Sequence, residues 1–306
     1  MDANRLLIFR EIARTGSIAG AARALGWTQP AVSQHLRHLE RQAGAPLVLR
    51  RPRGVQLTEA GRALLRHADA IAARLQAAEE DLDALGQRRA GTVRLAVFPS
   101  AGATIVPDAI SLLGRRHAGI DVRLREAEPP QALALLEAGE VDVAVTFTHT
   151  ADPIAGEQGA GPGLVRVVVG GDPVRLVLPD DHPHAGPPGA PVDLKVLAGE
   201  KWIAGCERCA ANLREACGAA GFAPDVRHGT DDYVAAQALI ARGLAVGLLP
   251  QLALDAALHP GVAVRPALQL RPRTLHLTYH REAGQIPAVA GALRALLDTT
   301  AGRRTA

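Results

Sequence analysis

From Leu6 onward the apolar side chains Leu6, Leu7, Phe9 and Ile12 recur on one face of a helix that runs to Arg14 and stops at Thr15-Gly16. Ser17 is placed to cap a second helix, in which Ile18 and Leu25 face inward and Ala21, Ala22 and Ala24 let a neighbour approach closely; Gly26 ends it. Thr28 is the expected N-cap of a third helix, and Pro30 falls in its first turn, where a missing N–H costs nothing. Val32, Leu36 and Leu39 follow at i, i+4 and i+7 as a buried stripe, leaving Gln29, Ser33, Gln34, Arg37, His38 and Arg41 on the opposite face. A short turn thus sets one helix across another and exposes amide, hydroxyl and guanidinium groups suited to base edges and phosphates. The segment PLVLRRPRGVQLT then reads as a β-hairpin with Arg50, Arg51 and Arg53 near its tip, a basic wing for phosphates.

Thr58 begins a long helix predicted to reach about Gln87. Leu64, Ala68, Ile71, Leu75, Ala78, Leu82 and Leu85 alternate spacings of 4 and 3 along it, a heptad seam. Thirty helical residues would span roughly 45 Å, and the seam needs a partner: a second copy, which would also supply two recognition helices, or the chain's own core. After a hinge at 87–91 the rhythm changes. TVRLAVF, IDVRLREA and VDVAVTF are strands separated by helical stretches at 104–116 and 129–139, the β-α-β-α-β order of a parallel sheet. The Gly- and Pro-rich loop from His149 to Gly163, with Asp152 and Glu157, is expected to be mobile. LVRVVV, VRLVLP, KWIAG, PDVRHGT and LAVGLLP form a second set with helices near 209–220 and 231–243, and RTLHLTYH with a helix near 285–298 is left over. Two tandem α/β lobes with a C-terminal remainder imply two crossings between lobes and a ligand cleft at the carboxyl ends of the strands.

Length and composition set the frame for these elements. At 306 residues, 48% hydrophobic, the chain is long enough for two cored domains. Charges at Asp2, Arg5, Arg10 and Glu11 interrupt the apolar N-terminus, which argues against a secretory signal, and no stretch is apolar enough to span a membrane; the expected location is the cytoplasm. Residues 1–58 carry nine arginines against three acids, a charge of +6 that leaves the rest of the chain at −3. A basic N-terminal lobe on a slightly acidic body is the footprint of a polyanion-binding domain.

The chain resembles the LysR-type transcriptional regulators over nearly its whole length. The resemblance is carried by GSIAGAARALGWTQPAVSQHLRHLERQAG, by PLVLRRPRGVQLTEAG, by Val141-Asp142-Val143-Ala144 after Gly139, and by ALIARGLAVGLLP at 238–250. It implies an all-α winged helix-turn-helix at 1–58, a linker and dimerisation helix at 59–90, and at 91–306 an α/β effector domain like the periplasmic binding proteins. In that domain, subdomain one covers about 92–165 and 269–300, and subdomain two about 166–268. The implied activity is sequence-specific regulation of transcription, as a homodimer or homotetramer on double-stranded DNA, modulated by a small-molecule effector and with RNA polymerase as a further partner.

Thr28, Gln29, Pro30, Ser33, Gln34 and Arg37 match the family positions facing the major groove. Leu64, Ala68, Ile71, Leu75, Ala78 and Leu82 are the expected dimerisation positions. Ser100-Ala101-Gly102 follows the first strand and opens a helix, offering N–H groups and a hydroxyl to a carboxylate or phosphate; the family places effectors here, although an ordinary β-α turn would read the same. Thr146 and Thr230 are second candidates, each equally explained as a helix cap. Cys206 and Arg208 at another helix start would meet the ligand from the second lobe, which makes the expected effector polar or anionic.

CERCAANLREAC also admits a redox-responsive regulator using Cys206, Cys209 and Cys217. A CxxC without a second pair or a nearby His falls short of a closed zinc site, so no metal and no cofactor are expected. A thiol oxidoreductase or a solute-binding protein would leave the basic winged domain unexplained. His182-Pro183-His184 sits in a Pro-rich loop, no nucleophile elbow or phosphate-cradling loop occurs, and no catalytic residue is assigned.

Overall fold

The computed structural model describes residues 1–51, 54–86, 91–149, 163–187 and 189–301, with side chains throughout except at 50, 76, 77 and 79–86. Arg53, Asp152 and Glu157, and the side chains of Arg50, Leu82 and Leu85, therefore lie outside the described residues. The chain divides into two compact units, Met1–Gly91 with Ala134–Val141, and Thr92–Leu133 with Asp142–Ala306.

The first unit begins with α1 (Ala3–Thr15), α2 (Ile18–Leu25) and α3 (Gln29–Ala43). Their inward faces meet in one core that includes Phe9, Ile12, Ala21, Val32, Leu36 and Leu39. Burying each large side chain of this kind contributes about 1.5–3 kcal/mol. Asp2 accepts from the Asn4 N–H and Ser17 from the Gly20 N–H, while Gly16, Gly26 and Gly44 close the three helices in the left-handed conformation. Thr28 occupies the N-cap position of α3 with extended backbone, yet its side chain makes no capping hydrogen bond. Strands β1 (Val48–Arg51) and β2 (Gly54–Leu57) form the antiparallel wing. Gly54 has φ +140° and a Cβ there would strike the Gly16 carbonyl oxygen, so the wing can close against the α1–α2 turn only with glycine. The Val55 N–H donates to that same oxygen at 2.8 Å.

Helix α4 (Glu59–Gly86) is capped by Thr58, whose hydroxyl accepts from the Gly61 N–H at 2.9 Å. Its first four turns do not leave the seam free: Ala68 is fully buried in the core of this unit, with Leu64 and Ile71 packed beside it. Leu75 is 45% exposed and Ala78 is exposed, so the open part of the apolar stripe starts there.

The second unit contains two five-stranded sheets. The first is built from β3 (Thr92–Val97), β4 (Asp121–Glu126), β5 (Val143–Thr148) and β6 (Leu164–Asp172), with α5 (Pro99–Gly102), α6 (Ile105–Arg116) and α7 (Pro129–Glu137) between strands. The second takes β7 (Val174–Pro179), β8 (Lys201–Ala204), β9 (Asp225–Gly229), β10 (Val246–Pro250) and β11 (Val262–Arg265), with α8 (Glu207–Ala219), α9 (Tyr233–Ile240) and α10 (Gln251–Ala256). The chain then returns to the first sheet with β12 (Arg273–His280) and packs α11 (Pro287–Thr300) on α6. The strand orders are β4-β3-β5-β12-β6 and β11-β7-β10-β8-β9. Strands β4, β3 and β5 are parallel, as their intervening helices require, and β12 joins antiparallel to both β5 and β6.

The first crossing between lobes falls at Pro173, later than the 165/166 boundary expected from the sequence, because β6 stays in the first sheet as the partner of β12. Asp142 ties the motif Val141-Asp142-Val143-Ala144 to β3, accepting from the Arg94 N–H at 2.9 Å and from its guanidinium at 3.1 and 3.2 Å. Among the described residues no helix is long and apolar enough to cross a membrane.

Candidate functional site

Within the first unit, the outer side of α3 has the character expected of a base-reading surface. Thr28, Gln29, Pro30, Gln34 and Arg37 are exposed and Ser33 is half-buried, while Val32, Leu36 and Leu39 hold the helix from beneath. Trp27, 41% exposed, leans against His35 with ring centroids 5.3 Å apart and stiffens the turn entering the helix. On the wing, Arg51 is exposed and its guanidinium donates to Gln56 Oε1 at 3.2 and 3.3 Å. The surface offers amides for adenine edges and guanidinium groups for guanine or phosphate.

In the second unit both crossings between lobes meet at one pair. Asp172 ends β6, Arg273 begins β12, and the two are register partners. Arg273 is 1% exposed and Asp172 is fully buried. The guanidinium donates to Asp172 Oδ2 from Nε at 2.9 Å and from Nη2 at 2.8 Å, and Nη2 also donates to Ser100 Oγ at 2.6 Å. Its carbon lies 4.7 and 4.3 Å from the ring centroids of Phe98 and Phe147. Burial opposes the Arg273 charge, but Asp172, together with Tyr233 and Cys209, more than compensates and holds the group protonated. Asp172 Oδ1 meanwhile accepts from the Leu252 N–H at 3.0 Å, binding the start of α10 to the crossing.

Around this pair stand groups from the carboxyl ends of strands in both lobes. Glu128 follows β4, Cys206 is the N-cap of α8 after β8, and Asp231 and Tyr233 follow β9. The Cys206 thiol donates to Cys209 Sγ at 3.4 Å. That bond and burial raise the Cys206 pKa, while the same bond, with Arg273 nearby, lowers that of Cys209; the two thiols titrate as one coupled pair. Burial, with help from Cys206 and Asp231, pushes the Glu128 carboxyl up to about 8. Tyr233 is likewise pushed up by burial. Beside these groups a cavity of about 540 Å³ is lined by Ser100, Glu126, Asp231, Asp232, Tyr233 and Gln237, among others.

The expected effector residues are distributed unevenly over this region. Ser100 lies at the cavity with its hydroxyl engaged by Arg273 and is 1% exposed; Ala101 is fully buried and Gly102 half-buried in the single turn of α5. Thr146 is buried within β5 opposite His276. Thr230 accepts from the Asp232 N–H at 3.1 Å, and Asp232 is itself the N-cap of α9. Arg208 is half-buried and lies near enough to Arg166 to lower its pKa, an effect second to burial there.

Cys206 and Cys209 sit together, but Cys217 is fully buried in the core of the second lobe, where burial raises its thiol to about 11. All three are free thiols. Asp172, Arg273, Glu128 and Tyr233 did not figure among the sequence candidates. The first two bound apolar strands and read as ordinary strand ends; only the crossing brings them into register.

Comparison with known proteins agrees with this architecture. Residues 3–62 match the model of the bacterial regulatory helix-turn-helix proteins of the lysR family, and residues 86–301 match the LysR substrate binding domain. The chain is 26% identical over 254 residues to the uncharacterized HTH-type transcriptional regulator YybE of Bacillus subtilis, covering 82% of this chain and 83% of the relative. It is 27% identical over 280 residues to the DNA-binding transcriptional dual regulator OxyR of Escherichia coli, covering 89% and 88%. The crystal structure of full-length CbnR complexed with its target DNA shares the fold, with a TM-score of 0.65 at 21% identity over 98% of this chain and all of that one.

Proposed function

The chain belongs to the LysR family of transcriptional regulators, and on that premise we propose that it answers to a polar effector bearing a positively charged or strongly donating group, held in the cleft of its C-terminal domain. Regulators of this family bind DNA, carry an effector-binding domain and assemble as oligomers. The observation that carries the effector reading is the sign of the cavity wall: Glu126, Asp231 and Asp232 line it, whereas the nearby cation Arg273 is already neutralised by Asp172. A carboxylate effector, expected from Ser100 and Arg208, suits that wall less well, because the Ser100 hydroxyl is engaged and Arg208 is not among the lining residues. Calorimetric titration of the full-length protein with matched amines and carboxylates tests the sign. Amine-bearing compounds should bind and lose at least tenfold in affinity in Glu126→Gln/Asp231→Asn; binding of carboxylates alone would overturn the reading.

On the same reading Thr28, Gln29, Pro30, Ser33, Gln34 and Arg37 face the operator, the wing arginines hold phosphates, and the exposed part of the α4 stripe joins two copies. The protein is a regulator rather than an enzyme and works where the chromosome is, in the cytoplasm. The 3.4 Å approach of the Cys206 and Cys209 sulfurs favours a second reading, in which an oxidant takes two electrons and two protons from the thiols to form a disulfide. Thiol counting after mild peroxide tests it: two thiols lost in the wild type and none in Cys209→Ser would support it, and unchanged thiols would exclude it.

A further inference from the structure

Among the described residues one cluster offers metal-ligating atoms from both lobes. Glu128, Cys206 and Asp231 each present one such atom, all within 4.8 Å of one another. Cys209 adds a second sulfur 3.4 Å from that of Cys206. A CxxC without a second pair or a nearby His is not a closed site in the sequence; the fold brings two carboxylates to it, one from the end of β4 and one from the end of β9.

Four potential metal donors converge, and Arg273, the cation beside them, is committed to Asp172. Glu128 Oε2 is buried without a hydrogen-bond partner, an arrangement that costs free energy unless something else satisfies the oxygen.

A two-sulfur, two-oxygen donor set selects among cations. Calcium and magnesium prefer six or more oxygens, whereas thiolates select borderline and soft ions. A tetrahedral ion with metal–sulfur bonds of about 2.3 Å and metal–oxygen bonds of about 2.0 Å needs donor separations of about 3.3–3.8 Å. The donors of Glu128, Cys206 and Asp231, within 4.8 Å of one another, and the two sulfurs 3.4 Å apart reach that range with side-chain adjustments of about 1 Å; the approach of Cys209 to the carboxylates comes from the same adjustments.

We propose that Cys206, Cys209, Glu128 and Asp231 form a binding site for a thiophilic divalent cation of the zinc class, bridging the two lobes of the effector domain. Binding displaces the two thiol protons and the Glu128 carboxyl proton to solvent and leaves two thiolates and two carboxylates on the ion. Because its ligands come from both lobes, the ion favours their closed arrangement to the extent that it binds that arrangement more tightly. That such an ion acts as a signal rests on the regulator reading; that it binds does not.

Titration of the reduced, metal-stripped full-length protein with Co²⁺ reads the site directly, since thiolate coordination produces a charge-transfer band and tetrahedral geometry produces intense d–d absorption. The expected result is one Co²⁺ per chain, displaced by Zn²⁺. Glu128→Gln and Asp231→Asn should each weaken binding at least tenfold, Cys206→Ser should reduce the charge-transfer band, and Cys217→Ser should match the wild type. Circular dichroism of each variant checks that the fold is intact. Absence of the band in the wild type, or affinity unchanged in both carboxylate variants, would overturn the proposal. Operator binding by the same metal-stripped protein tests the regulator reading separately.

Discussion

His276 and Arg273 lie on the same strand, both buried, and the structure treats their charges in opposite ways. Arg273 keeps its proton because a carboxylate, a hydroxyl and two aromatic faces surround it. His276, 4% exposed, shares a 2.9 Å hydrogen bond with Thr148 Oγ1, and among the described residues no carboxylate acts on it to stabilise an imidazolium. Burial, and after it Arg166, depresses its pKa from 6.5 to about 4. Protonation therefore favours the unfolded chain. The stability that neutral His276 contributes is fully present above about pH 6.5 and is lost as pH falls toward 4, up to about 3 kcal/mol at 1.36 kcal/mol per pKa unit. Urea unfolding of the wild type and His276→Gln should diverge in slope across pH 4–6.5, with the variant less acid-sensitive; parallel pH profiles would show that His276 is charged in the folded protein.

At the scale of elements, α3 and the wing divide DNA recognition into two measurable parts. Gln34 stands exposed on a helix whose inner stripe is locked into the core, so its amide can be aimed at a base edge. Gln34→Ala should cost about 1–3 kcal/mol on the preferred operator and little on unrelated DNA. Arg51→Ala should weaken both alike and reduce the salt dependence by about 0.9 in the log–log slope. Gel-shift titrations at several salt concentrations separate the two, and identical effects from both variants would remove the division.

The elements were legible in the sequence wherever a local pattern determined them. The stripe Val32, Leu36, Leu39, the capping Ser17 and the run RTLHLTYH each specify one element without reference to anything distant. The assignment of β6 was not legible, because LVRVVV suits either lobe and only its pairing with β12 decides. Glu128, Asp172 and Arg273 escaped notice for the same reason: each is an unremarkable polar residue at a strand end, and its role appears only when strands far apart in sequence become neighbours. Conversely, Ser100 was found from its place after the first strand, but the guanidinium that engages its hydroxyl could not be.

For the whole molecule, a regulator reading a two-fold operator needs two copies of α3, and on the proposed reading the exposed stripe of α4 is where the second copy attaches. Ala68 is buried in the core of its own unit, and Leu64 and Ile71 pack partly against that core, so these positions hold the helix in place. Leu75, 45% exposed, and Ala78 continue the stripe beyond that core. A large apolar side chain this exposed on a regular seam is what a coiled-coil contact leaves open in a single chain. Substitutions along one stripe should then separate into two classes. Leu75→Glu would place a carboxylate against its own copy and dissociate the dimer while leaving the domain folded, whereas Ala68→Glu would bury a charge in the core and unfold the domain itself. Sedimentation velocity should report a monomer for Leu75→Glu with unchanged helical content. Its affinity for a full two-fold site should drop toward that for a half-site, because the second α3 no longer arrives tethered to the first. A Leu75→Glu protein that sediments as the wild type and still prefers the full site would move the dimer contact to another face.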